Sequence, residues 1–148
     1  MMKSTLRRAL SVIAVCAAMA GLLADGAAAK KRHAKVKLSG PSQLSASQPF
    51  YVVAKGQGKR KRRKYLLGLF VTQQASCPAT YADAFVTANT ARLAGYYVSS
   101  KFRVKLGPYH GGSPGTLLFC AYLYPKVSGG SWGFKKPMAL GRKTITFT

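Results

Sequence analysis

The chain has 148 residues, with 24 lysines and arginines against two acids, a formal net charge of +22. Ordinary domains are about a quarter charged with the signs near balance, so the shortage of acids sets this one apart more than the surplus of bases. A surface of one sign has almost no internal salt bridges, repels itself and attracts polyanions.

The N-terminus comes first. Lys3, Arg7 and Arg8 precede an apolar stretch from about Ala9 to Leu23, and Ala27-Ala28-Ala29 offers an A-x-A cleavage site. That is the layout of a secretory signal peptide, with cleavage expected after Ala29. The apolar run is short of the roughly 20 residues a membrane span needs, and Cys16 lies inside it behind Val15, unlike a lipoprotein cysteine. Removing residues 1–29 leaves 119 residues, enough for one domain, with 21 cations against the single acid Asp83, a net charge of +20. Residues 30–35 are expected to form a flexible basic leader and residues 36–148 the domain. Cys77 and Cys120 then remain as an even pair in an oxidising compartment, so a disulfide is expected. It would close a loop of 43 residues, worth roughly 4 kcal/mol on chain-entropy grounds.

In chain order, VKLSG (Val36 to Gly40) reads as a short strand ending at Gly40-Pro41. FYVVAKG, from Phe50, is rich in aromatic and β-branched residues. KYLLGLFVT (Lys64 to Thr72) is nearly all apolar, as expected of a central strand covered on both faces. Between these two, Gly56 and Gly58 open a turn, and Lys59, Arg60, Lys61, Arg62, Arg63 and Lys64 are expected at the tip of a hairpin, held away from the core. In residues 78–95, Thr80 and Asp83 have the spacing of a helix capping box, Tyr81, Phe85 and Ala88 would share a helix face, and Gly95 is the expected stop. An irregular loop with a strand is the open alternative there. KFRVKL (Lys101 to Leu106) alternates strictly, with Phe102, Val104 and Leu106 to one side and Lys101, Arg103 and Lys105 to the other. The loop GPYHGGSPG leads into TLLFCAYLY (Thr116 to Tyr124), a second central strand. KTITFT closes the chain with Ile145 and Phe147 inward.

Six or seven short strands with one disulfide predict an all-β chain, an antiparallel β-sandwich with at most one short helix. This rhythm, over roughly Val36 to Phe147, resembles the immunoglobulin-like and fibronectin type III-like domains of bacterial exported proteins. Three departures confine the resemblance to architecture. Cys77 follows the third strand instead of lying in the second, Trp132 lies in a Gly-rich loop, and Leu118 stands two before Cys120 where a corner tyrosine would sit.

Two basic elements carry the functional expectation. One is the run Lys59 to Lys64, for which a nuclear-targeting reading conflicts with export. The other is the outward set Lys101, Arg103 and Lys105; Lys35 and Lys37 alternate in the same way around Val36 and Leu38. If those strands share a sheet they form a positive stripe, and like charges set opposite each other destabilise a sheet unless an anion joins them. The expected partner is an anionic polymer or anionic membrane surface, non-specific nucleic acid included, bound by a secreted or envelope-associated monomer. No helix-turn-helix, zinc spacing or RNA-recognition motif appears. Tyr96, Tyr97, Tyr109, Tyr122 and Tyr124 are read as packing residues before stacking ones.

Chemistry has few candidates. One acid excludes a carboxylate pair, and no G-x-S-x-G is present; no enzyme activity, cofactor or metal is expected. Two alternatives stand beside the polyanion reading. One is a structural or protein-interaction module of the cell envelope. The remoter one is a small basic ribonuclease using His33 and His110 with a lysine.

Overall fold

The structure is a computed structural model that describes residues 32–126 and 132–148. The signal peptide, its cleavage point and the first residues of the basic leader lie outside the described residues. Eight strands occur within the described residues: β1 Lys35–Ser39, β2 Gln43–Leu44, β3 Phe50–Gln57, β4 Tyr65–Thr72, β5 Thr90–Val98, β6 Lys101–Tyr109, β7 Gly115–Pro125 and β8 Ala139–Phe147. One helix, α1, spans Tyr81–Val86, and a single 3-10 turn spans Trp132–Phe134.

Alternation sorts these strands into two layers. In β3 and β6, Val52, Ala54, Phe102 and Leu106 point inward and are buried, with Val104 packed beside them, whereas Val53, Lys55, Arg103 and Lys105 lie on the opposite face. The three strands β1, β3 and β6 form one sheet; the order β2-β8-β7-β4-β5 forms the other. All pairings are antiparallel except the two-residue β2–β8 ladder. The core between the sheets joins Leu38, Val52 and Leu106 to Leu67, Leu69, Phe119 and Ile145. Placing β1, β3 and β6 as strands A, B and E, and β4, β5, β7 and β8 as C, C′, F and G, gives the strand order of an immunoglobulin-type sandwich. The fold is therefore an all-β, immunoglobulin-like sandwich with one short helix and one disulfide.

β4 and β7 are apolar on both faces because both faces are covered. Their outward residues Phe70, Leu118, Cys120, Tyr122 and Tyr124 form a second apolar layer under Tyr81 and Ala84 of α1. The capping box forms: Thr80 Oγ1 accepts from the Asp83 N–H and the Asp83 carboxylate accepts from the Thr80 N–H, each at 3.1 Å. Gly68 makes the close approach possible, since a Cβ there would lie 2.2 Å from the Tyr81 ring. The Cys77–Cys120 disulfide is present and ties the segment after β4 to the outer face of β7.

Three expectations are corrected. First, the run Lys59 to Lys64 is not a hairpin tip. β3 pairs with β1 and β6, whereas β4 pairs with β5 and β7, so the run crosses from one sheet to the other. Both edges of β3 are taken by β1 and β6, and both edges of β4 by β5 and β7, so neither strand has a free edge to offer the other. Second, Gly95 does not end the helix. α1 stops at Val86, where the Thr87 N–H bonds back to the Asp83 carbonyl, and Asn89 turns the chain with φ 54°. Gly95 lies in β5 opposite Gly68. The segment thus holds both a helix and a strand. Third, there are more than six or seven strands, because β2 and β5 also form; β5 meets the backbone needs of the exposed side of β4.

Candidate anion-binding surface

The outer face of the three-stranded sheet follows from register. Lys37 of β1 lies opposite Lys55 of β3, and Lys55 lies opposite Arg103 of β6, so three cations stand in one row. Beside it lies the row Lys35, Gln57 and Lys101, and on the other side Ser39, Val53 and Lys105. Lys35, Lys37, Lys55, Lys101, Arg103 and Lys105 are all exposed. Rows on one face repeat about every 6.6–6.8 Å along the strands, and neighbouring strands lie about 4.8 Å apart. Six cations therefore occupy a patch about 10 Å wide and little more than that long. Side chains of all three strands also wall an open concavity of about 860 Å³. Lys105 Nζ lies 3.8 Å above the ring of the exposed Tyr51, a cation–π contact that holds the ammonium over the face.

No side-chain carboxylate of the described residues relieves this crowding. Asp83, the single acid of the described residues, is engaged in the α1 capping box against the outer face of the other sheet. The sheet joins β1 and β6 through β3, which supplies Lys55, a residue that the sequence reading left out. Counting outward positions from Phe50 (Tyr51, Val53, Lys55, Gln57) would have found it.

The run Lys59 to Lys64 leaves β3 at the end of this patch where Lys35 and Lys101 stand. All six side chains are exposed, yet the loop's path is fixed. The Arg60 N–H donates to Tyr65 Oη at 2.8 Å, and Tyr65 Oη donates back to the Arg60 carbonyl at 3.0 Å. The Gly58 N–H bonds the Ser100 carbonyl, and the Lys126 N–H bonds that of Lys64. Gly58 lies on the Tyr65 ring, where a Cβ would come within 2.1 Å. Arg62 turns the loop in the left-handed region, φ 59°. Lys59, Arg60, Arg63, Lys64 and Lys126 line a concavity of about 350 Å³ completed by Tyr65, Pro125 and Met138. Lys126 was not legible as a site residue; only the register of Tyr65 with Pro125 brings it to the loop.

The tyrosines divide. Tyr122 and Tyr124 are buried, their hydroxyls donating to the carbonyls of Pro78 and Lys135. Burial raises the pKa of both, and that of half-buried Tyr109. Tyr96 and Tyr97 of β5 are exposed, with Lys126 Nζ 5.0 Å from the Tyr97 ring centroid. The two histidines are not brought together. The His33 carbonyl accepts from Gln57 at one end of β3, and His110 Nδ1 lies 3.3 Å from the Ser47 carbonyl, just past Tyr109 at the other end. Eight β-strand residues separate those ends by more than 20 Å, too far for one acid–base pair to act on one phosphate. Among the described residues no three His, Cys, Asp or Glu side chains cluster as a metal site would require.

No family model and no curated protein matches the sequence. Among solved structures, the chain is similar to the CARDB domain of a Pyrococcus furiosus protein, solved in complex with di-metal ions. The TM-score is 0.49 at 7% identity, over 80% of this chain and 90% of that one. A likeness this distant says nothing about ligands.

Proposed function

We propose that this chain is a secreted, non-enzymatic binding module that adheres to anionic polymers through the outer face of its three-stranded sheet. The row Lys37, Lys55 and Arg103 carries the reading. Like charges placed directly opposite each other weaken a sheet, and no acid of the described residues stands among them. A polyanion laid across the face removes that repulsion and releases its own counterions. The disulfide supports an oxidising, extracytoplasmic setting.

The test is a titration of the purified protein against single-stranded DNA, an anionic cell-wall polymer and phosphatidylglycerol vesicles over a salt series. Adhesion to polymers predicts affinity that falls steeply with salt for at least one polymer. Weak, salt-insensitive association with all three would contradict it. A second reading, a protein-interaction module of the envelope, is favoured by Phe85 and Val86 of α1 and by Phe134, which are 56, 84 and 75% exposed. Under that reading, neutralising the sheet-face cations leaves partner binding unchanged.

A further inference from the structure

The concavity beside the basic loop differs in kind from the open sheet face. At about 350 Å³ it stands at the small end of the range for small-molecule sites, so it suits one compact group and not a length of polymer. Five cations line it, with no acid of the described residues among them. One phosphate would leave most of that charge uncompensated. Arg60 and Arg63 present planar forks suited to paired phosphate oxygens, and the remaining wall, Tyr65, Pro125 and Met138, is largely apolar.

The loop is also organised in advance. The Tyr65 hydroxyl clamps Arg60 through both its N–H and its carbonyl. Bonds from Gly58 to Ser100 and from Lys126 to Lys64 hold the two ends. A loop serving only solubility has no need of a buried tyrosine bonded to it twice. We propose that this pocket binds a compact diphosphate-type anion, either free or carried on an apolar stem. The inference deepens the reading of this surface as anion-binding, and the variants below separate the two claims.

The experiment is calorimetric titration of the purified protein at physiological ionic strength with orthophosphate, inorganic pyrophosphate and farnesyl diphosphate. Pyrophosphate is expected to bind one-to-one and at least tenfold more tightly than orthophosphate. Tighter binding of farnesyl diphosphate than of pyrophosphate assigns the apolar carrier as the source, and equal binding assigns the free anion. Tyr65→Phe keeps every charge and the ring but removes the clamp, and is expected to weaken pyrophosphate at least fivefold. Should that variant fold poorly, Arg63→Gln/Lys126→Gln changes exposed side chains alone and is expected to weaken it more than tenfold. Neutralising Lys37, Lys55 and Arg103 together is expected to leave pyrophosphate binding within twofold while reducing polymer binding. Equal affinity for orthophosphate and pyrophosphate would overturn the proposal. So would a loss of pyrophosphate binding in the sheet-face variant as large as that in the loop variant.

Discussion

Lys55 sits between Lys37 and Arg103 in the middle strand of its sheet, and each neighbour repels it. If the position is kept for binding, stability and affinity should move in opposite directions. Lys55→Gln is expected to raise stability by about 0.2–1 kcal/mol at low salt while weakening polymer binding. The gain should shrink as salt screens the row. Urea denaturation at two ionic strengths measures it, and a loss of stability would mean that the lysine contributes through its packed stem instead. Gly58 is a residue of the opposite kind, defined by lack of space. A Cβ 2.1 Å from the Tyr65 ring must displace a buried side chain, so Gly58→Ala is expected to cost about 1–3 kcal/mol, the range for overpacking. A denaturation midpoint equal to the parent's would show that the ring can move aside.

At the scale of elements, the central fact is that β4 and β7 carry apolar side chains on both faces. Burial raises the pKa of Tyr81, Tyr122 and Tyr124; for Tyr122 the Tyr124 and Asp83 charges add to it, and for Tyr81 nearby Arg92 acts the other way. A phenol whose folded pKa is raised favours the fold in its neutral form. Its contribution is complete below the ordinary phenol value of about 10 and is lost as pH rises above that through the folded values. Stability is therefore expected to hold up to about pH 10 and then fall. Lysine deprotonation in the same range relieves repulsion, so parent and Tyr122→Phe should be compared at equal pH. The variant should lose less between pH 10 and 11.5, and an identical fall in both would contradict the assignment. At the start of α1, Thr80→Ala removes one half of the capping box and is expected to cost about 1 kcal/mol by thermal denaturation.

Elements also show what was legible beforehand. The strict alternation of Lys101 to Leu106 specified its buried and exposed faces, and the apolar runs of β4 and β7 announced a doubly covered sheet. The capping box is a local signal carried by the spacing of Thr80 and Asp83, and the disulfide a pairwise one carried by Cys77 and Cys120 being the two cysteines left after the leader. The crossing of Lys59 to Lys64 between sheets leaves no local signal, because a loop between consecutive strands has the same sequence character whether they pair or lie in opposite sheets. β5 was obscured because Ala91, Ala94 and Gly95 carry little strand preference of their own; its place is set by β4. Within the candidate site, the outward cations of β1 and β6 were visible as periodicity. The row through Lys55, and the approach of Lys126 to the basic loop, depend on tertiary register.

Across the whole molecule, cations outnumber acids 24 to two, yet their arrangement is not uniform. Six cations share the outer face of one sheet, and the basic loop continues from the end of that face. The central claim is that this arrangement matters beyond total charge, which a comparison at matched charge decides. The measurement is the salt dependence of binding to single-stranded DNA for the parent and two triple variants. One is Lys37→Gln/Lys55→Gln/Arg103→Gln on the face. The other is Lys135→Gln/Lys136→Gln/Arg142→Gln at exposed positions elsewhere. Each lowers the net charge by three. If the face is the binding surface, the first variant reduces the slope of log affinity against log salt by about 2, as three lost phosphate contacts on a single strand require. The second then leaves the slope near the parent's. Equal reductions in both would contradict the account, because binding would then follow total charge and not the row that the sheet assembles.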